Sequence, residues 1–216
     1  MNTLHRLLAL PVLALTVATA NAGTFAEINL VDNSLADWTG IVASATNTGA
    51  GPVDQIFVSN NDTRLFILIT FKTNTNILTD GFRLNIDSDG NANTGFHTYG
   101  TPSIGSEVLF EGDTAYRQAD GVYSTGTSAP FSLLIGPYNQ AVAALEFGIV
   151  RTAMVDSTPI FQSGTINLAT YFESPGSSSL IGPINYTFAS AVPEPSTYAA
   201  LAGMGVLTLA FFRRRR

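Results

Sequence analysis

The chain has 216 residues and no cysteine, so disulfides, thiolate zinc sites and a cysteine nucleophile are all excluded. Hydrophobic residues make up 45% of the chain and charged residues 12%, which suits one globular domain with short appendages. All acidic residues except Glu194 lie between residues 23 and 190, whereas only five of the ten basic residues do. Such an acidic surface repels phosphate backbones, so nucleic acid is not expected as a partner.

The first 22 residues have the pattern of a secretory signal peptide. A basic start that ends at Arg6 precedes an apolar run over residues 7–17, and Ala20-Asn21-Ala22 is a small-x-small cleavage pattern. We therefore expect signal peptidase to cleave between Ala22 and Gly23. A retained membrane anchor is the alternative, although the apolar run is short for that role.

Residues 23–190, called the body below, are predicted to form an antiparallel β-sandwich. Short apolar runs are separated by Gly, Asn and Asp turn signals, and no segment keeps a helical period. Residues 64–72 are almost continuously apolar, as in a central strand that is covered on both faces, whereas residues 81–87 and 141–150 alternate. About nine strands are expected, at residues 25–31, 55–59, 64–72, 81–87, 107–111, 114–118, 141–150, 160–167 and 184–188.

An aspartate-rich loop directly follows the strand predicted at residues 81–87. Oxygen-bearing side chains recur there at alternate positions, namely Asp87, Asp89, Asn91 and Asn93. A hard cation such as Ca²⁺ takes several oxygen ligands from one tight loop, so this spacing predicts a calcium site. The pattern is not that of an EF-hand, because the glycine comes too early and Thr98 stands at the twelfth position. The alternative is a polar hairpin loop whose side chains bond to their own backbone.

Several short motifs follow one another through the body: Ala36-Asp37-Trp38, Ser59-Asn60-Asn61-Asp62, the Asp loop itself, Ile104-Gly105-Ser106-Glu107 and Leu145-Glu146-Phe147. In this order they resemble the family 9 carbohydrate-binding modules and the DOMON-like domains. The resemblance implies a β-sandwich in which Glu107 approaches the Asp loop, either as a ligand or as a supporting group. It also implies glycan binding on aromatic side chains, for which Tyr99, Tyr116 and Tyr123 are the predicted contacts.

Catalysis is not predicted. His97 is the only histidine of the body, and no Gly-x-Ser-x-Gly motif is present. The remaining enzymatic alternative is a glycoside hydrolase that uses a carboxylate pair, Glu107 with Glu111 or Asp87 with Glu107.

Residues 191–216 combine three features. Val192, Pro193, Glu194 and Pro195 form a junction that prolines keep extended, residues 198–212 are apolar, and Arg213, Arg214, Arg215 and Arg216 follow. A helix over the apolar residues spans about 22–25 Å, slightly less than the roughly 30 Å hydrocarbon core. Since arginines are costly to move across a bilayer, we expect the cluster to stay cytoplasmic and the body to lie on the other side.

These three parts resemble, in order, the PEP-CTERM sorting signal of Gram-negative bacteria. The resemblance implies recognition by an exosortase in the inner membrane, cleavage near the Pro-Glu-Pro motif, and release or surface attachment of the body. It is typical of bacteria that make extracellular polysaccharide. A permanent single-pass anchor is the alternative.

The sequence thus predicts a signal peptide (1–22), an all-β sandwich (23–190) and a sorting tail with one transmembrane helix (191–216). We expect a non-enzymatic, exosortase-processed protein of the cell surface or extracellular matrix, stabilised by Ca²⁺ and associated with exopolysaccharide or biofilm. Its precursor is anchored transiently in the inner membrane. A carbohydrate-binding module and a hydrolase are the alternative functions.

Overall fold

The computed structural model describes ten stretches of the chain, which are residues 23–49, 51–76, 81–97, 104–111, 114–119, 122–123, 127–128, 131–133, 141–172 and 181–191. The predicted signal peptide, the Pro-Glu-Pro motif and the predicted sorting helix lie outside these residues. Among the residues described, no helix has the length and apolarity that crossing a bilayer requires.

The regular secondary structure of these residues consists of β-strands, apart from a 3-10 turn at Ala36–Trp38. The strands are β1 (Thr24–Phe25), β2 (Ala45–Thr46), β3 (Val53–Asn60), β4 (Arg64–Thr75), β5 (Phe82–Asp87), β6 (Phe96–His97), β7 (Gly105–Ser106), β8 (Val108–Glu111), β9 (Thr114–Ala119), β10 (Val122–Tyr123), β11 (Thr127–Ser128), β12 (Phe131–Leu133), β13 (Val142–Val150), β14 (Met154–Val155), β15 (Thr158–Pro159), β16 (Thr165–Phe172) and β17 (Ile181–Thr187).

Most strands belong to two sheets. The first sheet has the order β1-β3-β4-β13-β12, with β2 also paired to β3. The second has the order β10-β9-β8-β5-β16-β17, with β11 also paired to β9. Their pairings are antiparallel except for β1 with β3, which run parallel. The predicted all-β, antiparallel class is therefore confirmed, and β1 is the exception to it.

One hydrophobic core joins the two sheets. Leu65, Ile67 and Ile69 of β4 lie in the same buried cluster as Leu84 and Ile86 of β5. These core residues are two positions apart because side chains alternate between the two faces of a strand, so every second one lies on the inner face. Burying this apolar surface, at about 25 cal/mol per Å², stabilises the sandwich-like pair of sheets.

The outer face of the first sheet is buried as well. Phe66 and Leu68 of β4 point away from the shared core and pack with Ile28, Leu30 and Trp38 of the N-terminal segment. Strand β4 is thus covered on both faces, as its continuous apolar run predicts.

The predicted strand at residues 25–31 is wrong beyond Phe25. Ile28 and Leu30 alternate because the segment packs on the first sheet. The last backbone bond to β3 is from the Ala26 N–H to the Asn60 carbonyl, and further along the segment N–H groups bond to side chains. The Asn29 N–H donates to Asp37 Oδ2, and the Val31 N–H donates to Asn29 Oδ1.

The strand predicted at residues 160–167 begins later and runs further, from Thr165 to Phe172. Before it, the N–H groups of Ile160 and Gln162 donate to the carbonyls of Ala153 and Ser88, so this stretch is a hydrogen-bonded loop and not part of the strand. The predicted total of about nine strands is also too low for the described residues. Many of the additional strands are only two residues long, which is too short for an alternating pattern.

Candidate metal centre

Strand pairing carries Glu107 to the Asp loop. Asp87 is the last residue of β5, and β8 begins at Val108. These strands pair antiparallel with Ile86 opposite Val108, and the Glu107 N–H donates to the Ile86 carbonyl. Glu107 therefore lies beside the start of the loop, as the family resemblance implies.

Three carboxylates converge at this point. Asp87, Asp89 and Glu107 each offer one oxygen such that all three oxygens lie within 4.8 Å of one another. The Asp87 side chain is fully buried, whereas Asp89 and Glu107 are half-buried. A cluster of this kind combines like charges at close range in a partly desolvated place, which is unfavourable without a compensating cation.

The loop backbone and hydroxyl groups hold the carboxylates in position. Asp87 Oδ1 accepts from the Asn91 N–H at 3.1 Å, and Asp89 Oδ1 accepts from the same N–H at 2.8 Å. Glu107 Oε2 accepts from the Ser88 N–H at 2.9 Å, and Glu107 Oε1 accepts from Thr94 Oγ1 at 2.8 Å. The carboxylate positions are therefore fixed by the fold rather than left to side-chain freedom.

Two glycines allow the close approach between the loop and the strand that brings Glu107. A Cβ on Gly105 would lie 2.1 Å from the Thr94 carbonyl oxygen, and a Cβ on Gly95 would lie 2.4 Å from the Ser106 carbonyl oxygen. Gly95 also has a φ of 65°, which favours glycine. Larger residues at either position would push the loop away from Glu107.

Asn91 and Asn93 lie at the exposed side of the loop. The Asn91 side-chain oxygen accepts from the Asn93 N–H at 3.2 Å, which is the self-bonded turn of the alternative interpretation. Their predicted role as ligands stays a prediction.

Burial raises the pKa of the carboxyl groups of Asp87 and Glu107. For Asp87 the charge of Asp89 adds to this rise, whereas hydrogen bonds from Asn167 and the loop backbone lower the pKa in part. Burial likewise raises the pKa of Glu107; its bonds from Thr94 and Ser88 act in the opposite sense, and the charges of Asp89 and Asp87 reinforce the rise. A cation bound between the carboxylates would offset the part of this rise in pKa that comes from their mutual repulsion.

Asn167 was not expected from the sequence as a partner of this cluster. Its Nδ2 donates to Asp87 Oδ2 at 2.8 Å, and the two residues are opposite each other in the β5–β16 pairing. They are eighty positions apart in the chain, so only the register of the sheet could reveal the contact. Gln162 was missed in the same way, although its side chain donates to Ser88 Oγ at 3.2 Å.

A second buried carboxylate lies on the first sheet. Glu146 of β13 is 1% exposed, and the Trp38 indole N–H donates to its Oε1 at 2.5 Å. Burial raises the pKa of Glu146, the bond from Trp38 lowers it, and the charges of Asp32 and Asp37 raise it. Trp38 itself is 5% exposed and therefore packs in the body instead of facing solvent.

Of the three predicted glycan contacts, the structure describes the side chain of Tyr116 alone. Tyr116 of β9 is half-buried and lies opposite Leu109 of β8. Tyr99 lies outside the described residues, and for Tyr123 the structure describes only the backbone, in β10. His97 is exposed at the end of β6.

The described residues end at Ala191, two positions before Pro193 of the Pro-Glu-Pro motif. Residues 191–216 match the family model of the PEP-CTERM protein-sorting motif. This confirms the resemblance of the tail. The PEP-CTERM motif indicates an exported protein that is targeted to an exosortase, and it implies a membrane-anchored precursor that is processed to the cell surface. No curated protein matches the chain.

Proposed function

We propose that the chain is the precursor of a non-enzymatic protein of the cell surface or extracellular matrix, whose β-sandwich body is stabilised by Ca²⁺. Signal peptidase releases its N-terminus, and an exosortase cleaves its tail near Pro193, Glu194 and Pro195. The PEP-CTERM match supports the sorting part of this proposal. The convergence of Asp87, Asp89 and Glu107 supports the calcium part.

The donor set favours a hard cation. Its carboxylates offer oxygen ligands only, and the chain has no cysteine that could bind a softer metal. In the proposed site Asp87, Asp89 and Glu107 carry the charge, and Asn91 and Asn93 add neutral oxygens from the exposed side of the loop. The formal charge of the three carboxylates exceeds that of one Ca²⁺, which favours a divalent over a monovalent ion.

Calcium at this place would stabilise the body by joining distant parts of the chain. Asp87 terminates β5, Asp89 belongs to the loop, and Glu107 precedes β8. One ion would therefore hold together two segments of the chain, the loop after β5 and the start of β8, in a protein that has no disulfide available for this purpose.

Thermal unfolding of the mature protein with Ca²⁺ and with EGTA tests the calcium proposal. At a free Ca²⁺ concentration of 100 times Kd, the ion contributes about 2.7 kcal/mol, which corresponds to roughly 5–10 °C for a domain of this size. Equal midpoints in the two buffers would contradict the proposal. Titration calorimetry with Ca²⁺ and Mg²⁺ separates specific binding from general screening of the acidic surface.

Replacement of Pro193, Glu194 and Pro195 by alanine tests the sorting proposal. In cells that contain the exosortase, we expect the altered precursor to accumulate in the inner membrane with its C-terminus intact. Mass spectrometry of the released or surface-attached protein gives the terminus directly, and Ser196→Ala is the control. A normally processed triple variant would refute exosortase targeting through this motif.

Association with extracellular polysaccharide through Tyr99, Tyr116 and Tyr123 stays a prediction. A pull-down of the mature protein with polysaccharide from the host tests it, and the three tyrosine-to-alanine variants test the named contacts. Assays with glycan and ester substrates test the predicted absence of catalysis, with Glu107→Gln and Glu111→Gln as the informative variants if turnover is found.

A further inference from the structure

The two ends of the body meet at one buried amide, Asn60, the last residue of β3. Its Oδ1 accepts from the Ala189 N–H at 2.8 Å and from Tyr186 Oη at 2.7 Å. Its Nδ2 donates to the Ala189 carbonyl oxygen at 2.8 Å. A single side chain therefore bonds to both backbone polar groups of Ala189, which lies just beyond β17.

The N-terminal end is attached to the same place. The Ala26 N–H donates to the Asn60 carbonyl at 2.9 Å, and the Tyr186 hydroxyl lies 3.2 Å from the Thr24 carbonyl oxygen, which it can also reach as a donor. The Gly23 N–H donates to the Thr187 carbonyl at 2.8 Å. Asn60, Tyr186 and Ala189, together called the Asn60 clamp below, thus join the first and last described segments of the body.

Phe188 provides a second attachment for the same stretch. Its N–H donates to the Gly164 carbonyl at 2.9 Å, and the Arg151 guanidinium carbon lies 4.4 Å from the centre of its ring. Its ring also contacts Phe161 edge-on, with ring centres 5.3 Å apart. The chain therefore stays bound to the sandwich up to Ala189, whereas Ser190 and Ala191 are exposed.

The clamp lies very near the processing motif. Three residue steps separate Ala189 from Val192 and six separate it from Pro195. At roughly 3.3–3.6 Å per fully extended residue, Pro195 cannot lie more than about 20 Å from Ala189. Only a short length of chain therefore separates the folded body from the motif that the enzyme has to reach.

We propose that the Asn60 clamp controls exosortase processing of this precursor by limiting the length of free chain before the cleavage motif. The inference rests on the proposed exosortase targeting and adds a regulatory element in the folded body. Local opening of residues 188–191 would break the bonds to Ala189, lengthen the free segment and admit the enzyme, while Tyr186 stays in the core.

Pulse–chase measurement of processing in cells that contain the exosortase tests this inference on the full-length chain. Asn60→Ala removes both bonds to Ala189, so we expect cleavage to become about tenfold faster, since each lost hydrogen bond shifts a local opening equilibrium severalfold. A six-residue Gly/Ser spacer between Ser190 and Ala191 should accelerate cleavage with the clamp intact. In the Asn60→Ala background the same spacer should add little.

Two further variants keep the test decisive. Ile69→Val weakens the core without changing a hydrogen bond of the Asn60 clamp. It should leave the cleavage rate unchanged, which separates the clamp from general instability. If Asn60→Ala does not accumulate as folded protein, Tyr186→Phe replaces it, because that change removes only the hydroxyl that donates to Asn60.

Unchanged cleavage in the spacer variant, or in a folded clamp variant, would overturn the inference. An equal acceleration by Ile69→Val would overturn it too. The alanine variant of Pro193, Glu194 and Pro195 distinguishes the two levels of the proposal. If that variant is processed normally, the exosortase assignment itself fails. If its processing is blocked while the clamp and spacer variants behave as wild type, only the clamp is rejected.

Discussion

The protein buries carboxylates in two different arrangements, which are the Asp87–Asp89–Glu107 cluster and the Glu146 site. Glu146 is a single buried carboxylate, and it accepts a hydrogen bond from the Trp38 indole N–H. In the cluster, three carboxylates approach one another to within 4.8 Å, and the donors that surround them are neutral amides and a hydroxyl.

The comparison shows how many buried carboxylates can be stabilised by neutral hydrogen-bond donors alone. A single buried carboxyl can take up a proton or accept one strong hydrogen bond, and either reduces the cost of burial. Three adjacent carboxylates repel each other, so neutral donors do not remove the principal cost. The first arrangement suits a structural contact, and the second suits a cation.

The largest effect is expected from Glu107→Gln. This variant should lose most of the stabilisation by Ca²⁺, about 2.7 kcal/mol at 100 times Kd. In EGTA it should melt higher than the wild type, because one repelling charge is gone. Differential scanning calorimetry in both buffers measures the two effects.

Glu111→Gln is the matched control, because Glu111 belongs to the same region of the chain but pairs with Arg83. It should keep the full response to Ca²⁺. If both glutamine variants respond like the wild type, the cluster is not a calcium site.

Trp38→Phe should cost about 2 kcal/mol, because it leaves the buried Glu146 carboxylate without its donor while keeping an aromatic ring in place. Chemical denaturation followed by circular dichroism gives this free energy of unfolding. In the Glu146→Gln background the same change should cost less, since an unpaired amide is less costly to bury than an unpaired charge. An equal cost in both backgrounds would show that the indole contributes packing only.

A buried hydroxyl provides a third case for the comparison. Thr170 Oγ1 is buried and finds no hydrogen-bond partner among the described residues, so Thr170→Val should raise stability by about 1 kcal/mol, or roughly 2–4 °C. Thr75→Val is the control of opposite sign, because Thr75 Oγ1 donates to the Thr73 carbonyl at 2.9 Å. A loss of stability at Thr170 comparable with that at Thr75 would contradict this expectation.

The smallest predicted effect is the change with pH of the stability that Glu146 contributes. Since burial raises the pKa of Glu146 above its ordinary value of 4.5, the stability that this group contributes is fully present below pH 4.5. It is lost as the pH rises through the raised value. Glutamine does not titrate, so the melting point of Glu146→Gln relative to the wild type should increase from pH 4 to pH 7. A constant difference across this range would show that the carboxyl is not perturbed.

The long strands could be predicted from the sequence because each has a buried face. Residues 64–72 and 141–150 lie in β4 and β13, and their apolar patterns match the faces that are buried. The segment at residues 25–31 shows the limit of this reasoning. An alternating apolar pattern indicates that every second side chain is buried, but it does not indicate whether the backbone pairs with another strand.

The candidate metal centre was partly predictable. The spacing of Asp87, Asp89 and the glycines indicates a tight acidic loop, because these residues are neighbours in the chain. Glu107 entered only through a family resemblance, and Asn167 was not anticipated at all. Both reach Asp87 through strand pairing, whose register is decided by packing over the whole sheet.

The amino-acid sequence by itself determined the sorting tail and the β-rich class, since both depend on local order: a proline-flanked junction, an apolar run, an arginine cluster, and alternating side chains. Only the tertiary structure decided that three carboxylates converge, that Trp38 bonds to Glu146, and that Asn60 holds both ends of the body. These contacts join residues far apart in the chain. They depend on which strands pair and in which register, and that choice is made by the burial of the whole core.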